Sequence, residues 1–388
     1  MLFELFENSL YALILVGILL VSTVALCIYY IRLLKIKPTK ESLDLSVKKP
    51  ISVVIATRNE HEQLRQNLPF FLNQDHPEFE VVVVIDGSDR DVVYIMNEFK
   101  KTHANLKVVE FEWAKNFFVS RKFAESVGIK SAKYDRILQS HIGTRPCSPH
   151  WISQMSRTLT DRKEIVIGYH ALASKTSFSN ALIRFDTFFY KLRYLRSALS
   201  GQPFTANRKN VAFDRALFYK TKGTERFYNI NTGDDSMFVN KAATRTNTSV
   251  ETHANAFVKD QDAITFDRWF ARKIRQRILM GELRFAQRLS FALHNWFMAL
   301  FYLSFLTILT CFLLPETSWF ALTSCALILV GGVAFVKFSI QFLVFNRMMN
   351  IFQERGFLLL IPLFDFIKLF ISPILFFTGL FTKRITWK

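Results

Sequence analysis

The run from Leu10 to Ile31 carries no charged side chain, and roughly 20 apolar residues are enough to cross the hydrocarbon core of a bilayer. Such a run must satisfy its backbone hydrogen bonds within the segment, so a transmembrane helix is expected. Glu4 and Glu7 precede it, and Arg32, Lys35, Lys37 and Lys40 follow it. A secretory signal peptide would carry its positive charge ahead of the apolar stretch. The pattern therefore reads as an anchor, and the Lys and Arg after it place the following residues on the cytoplasmic side. Two more apolar runs come late in the chain: Phe291 to Leu314, ended by Pro315, and Trp319 to about Phe345, with Lys337 near its end. They predict a helical hairpin. Its connection, Pro315-Glu316-Thr317-Ser318, holds no basic residue while Arg284, Arg288 and Arg347 flank the pair, so the connection should face outward. The last stretch, Phe357 to Phe381, is interrupted by Pro362, Asp365, Lys368 and Pro373 and reads as an interfacial or re-entrant segment. Its alternative is a fourth crossing helix in which Asp365 and Lys368 pair at neighbouring turns.

With 50 Lys and Arg against 32 Asp and Glu, the formal charge is +18. An anionic membrane surface or a phosphate-bearing substrate accounts for this more simply than nucleic acid, because the charged region is flanked by membrane-type segments. A lipid bilayer is thus an expected partner and nucleic acid is not. Of the four cysteines, Cys27, Cys311 and Cys325 lie in apolar runs and Cys147 stands apart. That gives neither a disulfide framework nor a CxxC pair, and it fits a reducing compartment.

Between the anchors, from Ile51 to Tyr169, short β-branched runs alternate with amphipathic helical stretches, the pattern of an α/β parallel sheet with helices on its faces. Ile51–Ile55, Phe79–Ile85, Leu106–Val109, Arg136–Gln139 and Glu164–Gly168 are the expected strands, and Leu64, Leu68 and Leu72 mark one helix face. In open sheets of this Rossmann-like kind, ligands bind beyond the carboxyl ends of the strands. Thr57-Arg58-Asn59-Glu60, Asp86-Gly87-Ser88 and His141-Ile142-Gly143 would then share one rim. Taken singly, each has a plain structural reading as a turn, a helix cap or a satisfied polar residue. Their common place at strand ends favours function.

The order of these segments resembles that of family 2 glycosyltransferases, in particular the membrane-anchored group with a GT-A domain between an N-terminal helix and C-terminal helices. The resemblance covers Pro50 to Gln276. Ile51 to Glu60 looks like the family's opening strand and P-x-R-N-E-type loop, which implies donor contacts from Thr57, Asn59 and Glu60. Gln74-Asp75-His76-Pro77 matches Q-x-x-P, and Ile85-Asp86-Gly87-Ser88 stands where the family has Asp-Asp-Gly-Ser, leaving Asp86 for base or ribose recognition. Arg121, with Lys122 beside it, stands where the family's basic residue precedes a helix and implies a diphosphate contact. Thr232 to Asn240 is similar to G-D-D-D-L-F-V-N. That likeness implies Asp235 as general base, with Asp234 beside it, taking the proton of the acceptor hydroxyl in an inverting displacement; the plain alternative is a helix cap.

Departures are as informative. Asn207 to Phe213 resembles G-x-G-R-N-L-A-Y without its glycines, and Trp269 to Gln276 keeps only Arg275 of the Q-x-x-R-W-type motif. Where the family carries T-D-A-D-C-x-P, whose Asp-x-Asp binds the divalent ion on the donor diphosphate, this chain reads Ser140-His141-Ile142-Gly143-Thr144-Arg145-Pro146. Magnesium prefers oxygen ligands, whereas manganese tolerates an imidazole, so His141 is the candidate metal ligand and metal dependence is doubtful. Alternatively Arg121, Arg145 and Arg275 neutralise the diphosphate directly.

These readings give four segments: an anchor and linker at 1–48, a GT-A domain at 49–265, a basic amphipathic interface helix at 266–290, and a hairpin with an interfacial segment at 291–388. The expected function is transfer of a sugar from a nucleotide-diphosphate donor to a lipid-linked or envelope-glycan acceptor. The expected site is the inner membrane, with the chain multi-pass, its catalytic domain cytoplasmic, and other envelope-biosynthesis proteins as partners. The accumulated departures also allow a non-catalytic glycosyltransferase-like subunit that supports a partner enzyme.

Overall fold

The computed structural model describes residues 2–39, 49–58, 60–86, 89–111, 121–223, 225, 236–313 and 323–381. After the long helix α1 (Leu2–Ile31), the chain enters an alternation: β1 (Ile51–Ala56), α2 (His61–Leu72), β2 (Phe79–Asp86), α3 (Arg90–Thr102), β3 (Leu106–Phe111), α4 (Arg121–Ser131) and β4 (Arg136–Ser140). β1 lies between β2 and β4, and β3 adds to the far side of β2, all parallel. This is the α/β architecture expected, and the strands fall where the β-branched runs put them.

Every residue of β1 is buried. Strand side chains alternate between faces, so Ile51, Val53 and Ile55 join Leu64, Leu68 and Phe71 of α2 and Ile95 and Met96 of α3 in one core. Ala56 and Val84 face the other way, onto Ala124 of α4. Each fully buried Val or Leu contributes about 1.5–3 kcal/mol relative to exposure, so these central strands carry much of the stability.

The chain continues through β5 (Thr144–Pro146), α5 (Trp151–Thr158), β6 (Ile165–Ile167), β7 (His170–Ala171), α6 (Phe178–Leu199), β8 (Val211–Asp214), α7 (Arg215–Lys220), α8 (Met237–Ala242), β9 (Thr248–Val250) and β10 (Val258–Asp260). The large sheet has the order β3-β2-β1-β4-β8-β6-β9, with β8 antiparallel to its neighbours. A small sheet, β5-β10-β7, holds the chain that follows the altered metal motif.

Next come α9 (Phe266–Leu279), α10 (Phe285–Leu313), α11 (Thr323–Phe352) and α12 (Ile361–Phe381). The single basic helix expected over 266–290 is divided: α9 stops at Leu279, a short 3-10 turn covers Met280–Glu282, and α10 starts at Phe285. The inner face of α9 is committed to α6, where Trp269 Nε1 donates to Asp186 Oδ2 at 3.0 Å and Arg272 donates to Thr187 Oγ1 at 2.6 Å.

Four segments, Leu10–Lys35, Phe285–Cys311, Ile328–Phe352 and Leu358–Gly379, are long and apolar enough to cross a membrane. The fourth meets the length and apolarity that the alternative reading of the stretch after Phe357, a crossing helix, requires. α12 is continuous from Ile361, with Pro373 inside it. Pro362 costs it nothing, because the first turn of a helix has no intrahelical partner for the missing N–H. The connection at Pro315–Ser318 lies outside the described residues.

Two compact units result. One contains α1, α10 and most of α11 and α12; the other contains the described residues of Ile36–Glu282 together with Ile351–Glu354 and the end of α12 from Phe377 to Phe381.

Candidate active site

The carboxyl ends of β1 and β4 deliver the first two groups. Thr57 follows β1, is buried, and extends the pairing with β2 through its N–H to the Val84 carbonyl at 3.0 Å. Its hydroxyl donates to Glu60 Oε2 at 2.8 Å. Glu60 occupies the N-cap position of α2 without making a side-chain cap bond. Its carboxylate is turned instead to the rim, where Oε1 lies 3.4 Å from His141 Nε2 and 4.0 Å from an Arg121 guanidinium nitrogen. Thr57, Glu60, Arg121 and His141 are thereby gathered from the loop after β1, the start of α4 and the end of β4. The plain capping reading of Glu60 is excluded by this geometry.

At the end of β2 the outcome is different. Asp89 caps α3 by accepting from the Val92 N–H at 3.2 Å, and it lies 2.6 Å from His61 Nε2. Asp86 is the last residue of β2, and its side chain, with Gly87, Ser88 and Asn59, lies outside the description. So do Asp234 and Asp235. Arg275 is half-buried on α9, one turn beyond Arg272. Arg145 is turned away from the rim: its Nε donates to Asn67 Oδ1 at 2.5 Å and its guanidinium stacks 4.7 Å over the Phe70 ring of α2. A three-residue strand fixes alternate side chains on opposite faces, and Arg145 falls on the α2 side.

Other groups around the rim, Lys122 apart, were not anticipated from sequence. Arg208 Nη1 stands 2.8 and 2.9 Å from the two oxygens of Glu125 on α4. Lys122 is buried close by; burial first, and then the Arg208 charge, lower its ammonium to about 7 despite Glu125. Asn210 is fully buried and acts as a staple, donating to the carbonyls of Tyr169 at 2.8 Å and Ala256 at 2.7 Å while accepting from Trp151 Nε1. Asp260, ending β10, lies 2.8 Å from Lys209 Nζ and 2.9 Å from His170 Nε2. Burial alone would raise the Asp260 carboxyl, but those two partners hold it well below the usual carboxylate range. The clue available in sequence was only that Arg208, Lys209 and Asn210 fall within the glycine-less acceptor-side motif.

Among the described residues, the donor atoms at the altered motif do not fit the divalent ion that the resemblance implies. His141 Nδ1 accepts the Gly143 N–H at 2.9 Å. Its proton is then on Nε2, directed at Glu60, and neither nitrogen offers a lone pair in this arrangement. Gly143 supplies no side chain, and Asp260 is shared between Lys209 and His170. Among the described residues, the group with three metal-capable atoms in reach is His61, Asp89 and Asp91, where Asp89 already caps a helix.

A model of glycosyl transferase family 21 matches residues 17–388. The chain belongs to that family. It is a glycosyltransferase of a family 2-like GT-A group, as the motif order implied. The fold of this glycosyltransferase is also similar to that of a mannosyltransferase from Pyrobaculum calidifontis solved with GDP-Man and Mn2+, at a TM-score of 0.52 and 17 % identity over 89 % of this chain and 99 % of that one. Two poly-β-1,6-N-acetyl-D-glucosamine synthases of Staphylococcus epidermidis are 34 % and 32 % identical over 90 and 117 residues. Those alignments cover 23 % and 29 % of this chain but only 20 % and 26 % of the synthases.

Proposed function

We propose that this glycosyltransferase moves a sugar, with inversion, from a nucleotide-diphosphate donor to a lipid-linked or envelope-glycan acceptor at the cytoplasmic face of the inner membrane. The observation that carries the reading is the gathering of Thr57, Glu60, Arg121 and His141 at the carboxyl rim of a parallel sheet, the place where such sheets bind ligands. Support for the donor class comes from the GDP-Man of the Pyrobaculum mannosyltransferase. Support for a glycan acceptor comes from the two polysaccharide synthases. The four apolar segments and the basic flanks of the first favour a multi-pass chain with its catalytic unit inside.

In this reading Asn59 and Asp86 contact the nucleoside along with Thr57 and Glu60, and Arg121, His141 and Arg275 face the diphosphate and sugar. Asp235, next to Asp234, removes the acceptor proton as the hydroxyl oxygen attacks the anomeric carbon from the face opposite the diphosphate. The test is a panel of nucleotide sugars with detergent-purified protein and a lipid-linked acceptor. Asp235→Asn should bind donor like the wild type and lose transfer by about 10²- to 10⁴-fold, the usual contribution of a general base. Failure of the wild type to bind any nucleotide sugar would overturn the reading.

A further inference from the structure

We propose that a fixed ammonium, that of Lys209, takes the part of a divalent ion at the donor diphosphate; the proposal rests on the reading that a nucleotide sugar binds at the rim of the large sheet. Two ties set Lys209 beside the altered motif. β8 runs antiparallel to β4 with Val211 opposite Gln139, and beyond that pair the Ser140 hydroxyl donates to the Lys209 carbonyl at 2.9 Å. The backbone of Lys209 is thus fastened to the residue that opens the His141-Ile142-Gly143 turn. Its ammonium is fastened to the other end of the turn: Nζ lies 2.8 Å from Asp260, which pairs with Thr144, and the next N–H, of Gln261, donates to the Gly143 carbonyl at 3.2 Å. The Lys209 side chain is held by the protein beside this turn and is 14 % exposed.

Charge balance points the same way. An Asp-x-Asp with its divalent ion sums to zero, and so does His-x-Gly with a Lys209–Asp260 pair. A divalent ion added here would bring two positive charges to a turn that has no carboxylate of its own, whereas the Lys209–Asp260 pair adds no net charge to it. During transfer the bond from the anomeric carbon to the diphosphate oxygen breaks, and its electron pair stays on the diphosphate. The acceptor oxygen forms the new bond and its proton passes to a carboxylate. A preorganised cation beside the leaving diphosphate stabilises the charge that grows there, and Arg121 at the start of α4 adds to it with the positive end of the helix dipole.

The experiment uses the full chain in detergent, with UDP, GDP, their parent nucleosides and Mn2+ alone as probes. Nucleoside diphosphate affinity should be the same in EDTA as with added Mn2+ or Mg2+, and the electron paramagnetic resonance signal of free Mn2+ should be unchanged by the protein. Lys209→Met should weaken the diphosphate by about 10- to 100-fold, the equivalent of one charge-assisted hydrogen bond, while nucleoside binding is unchanged and Lys209→Arg restores most of the loss. Diphosphate binding that vanishes in EDTA and returns with Mn2+, or a Lys209→Met protein that binds as tightly as the wild type, would overturn the proposal. Absence of all nucleoside and nucleotide binding would overturn the donor-site reading beneath it.

Discussion

A histidine sealed from solvent must settle on one protonation state, and His170 settles on neutral. Burial lowers it to about 4; Asp260 pulls the other way, and Lys191 and Lys209 add to the lowering. The sign for stability follows from linkage. The folded value lies below the ordinary 6.5, so between those values the unfolded chain takes up a proton that the folded one refuses, and stability falls as pH drops from 6.5 to 4. A shift of this size is equivalent to about 3 kcal/mol. The neighbouring groups leave that window clean: Asp260 is held low, so its contribution is lost only below the ordinary carboxylate range, and Lys191, lowered to about 7, acts between there and its ordinary value. His170→Gln should therefore flatten the fall in thermal midpoint between pH 6.5 and 4.5 in detergent. Equal slopes for variant and wild type would show that His170 titrates normally.

At the scale of elements, what the sequence made legible was whatever depends on neighbours along the chain. The runs Ile51–Ile55 and Val81–Ile85 are rich in β-branched residues and buried, so composition and period already mark central parallel strands. The two- and three-residue strands β5, β7 and β10 have no such signature, since long-range pairing alone makes them strands. With them went the roles of Asp260 and His170, and the turning of Arg145 onto α2. α4 is an intermediate case. Its Arg121 and Lys122 stood out in the sequence, but what seats the helix is visible only in the fold: a Cβ on Gly128 would lie 2.7 Å from Val54 Cγ1 and 2.9 Å from Val84 Cγ2. The helix therefore lies close on β1 and β2, with Arg121 and Lys122 at its head. Gly128→Ala should destabilise the protein by about 1–3 kcal/mol through overpacking and weaken donor binding by displacing Arg121. Thermal midpoints and donor titration check this, and Val54→Ala in the same chain should recover part of both; a silent Gly128→Ala would mean that α4 is free to shift.

On the scale of the whole molecule, the unit of apolar helices is the part whose interior the sequence described least well. The alternative reading of the last stretch, a fourth crossing helix, would pair Asp365 with Lys368, one turn along that helix. Asp365 turns inward instead: Lys337 of α11 and Asp365 of α12 are both buried, with Nζ 3.5 Å from Oδ2. Gln341 bridges them, accepting from Lys337 at 2.8 Å and donating to Asp365 at 2.5 Å, and the Tyr30 hydroxyl of α1 reaches Asp365 at 3.4 Å. A contact one turn along the same helix would have left Asp365 at the surface of the bundle, whereas this network ties three helices together around one charge pair. Apolar side chains gain little from packing against one another when the alternative is lipid, so polar contacts of this kind do more to specify which helices meet. The consequence is asymmetric. Lys337→Met leaves a buried carboxylate without its countercharge and should cost roughly 3–5 kcal/mol, whereas adding Asp365→Leu to it should restore most of the stability, since a buried pair replaced by apolar residues is often neutral. Reversible unfolding in mixed micelles, compared across wild type, the single variant and the double variant, measures the difference. A single variant as stable as the double would mean that Asp365 finds water or another cation when Lys337 is gone, and that the pair does not hold these helices in register.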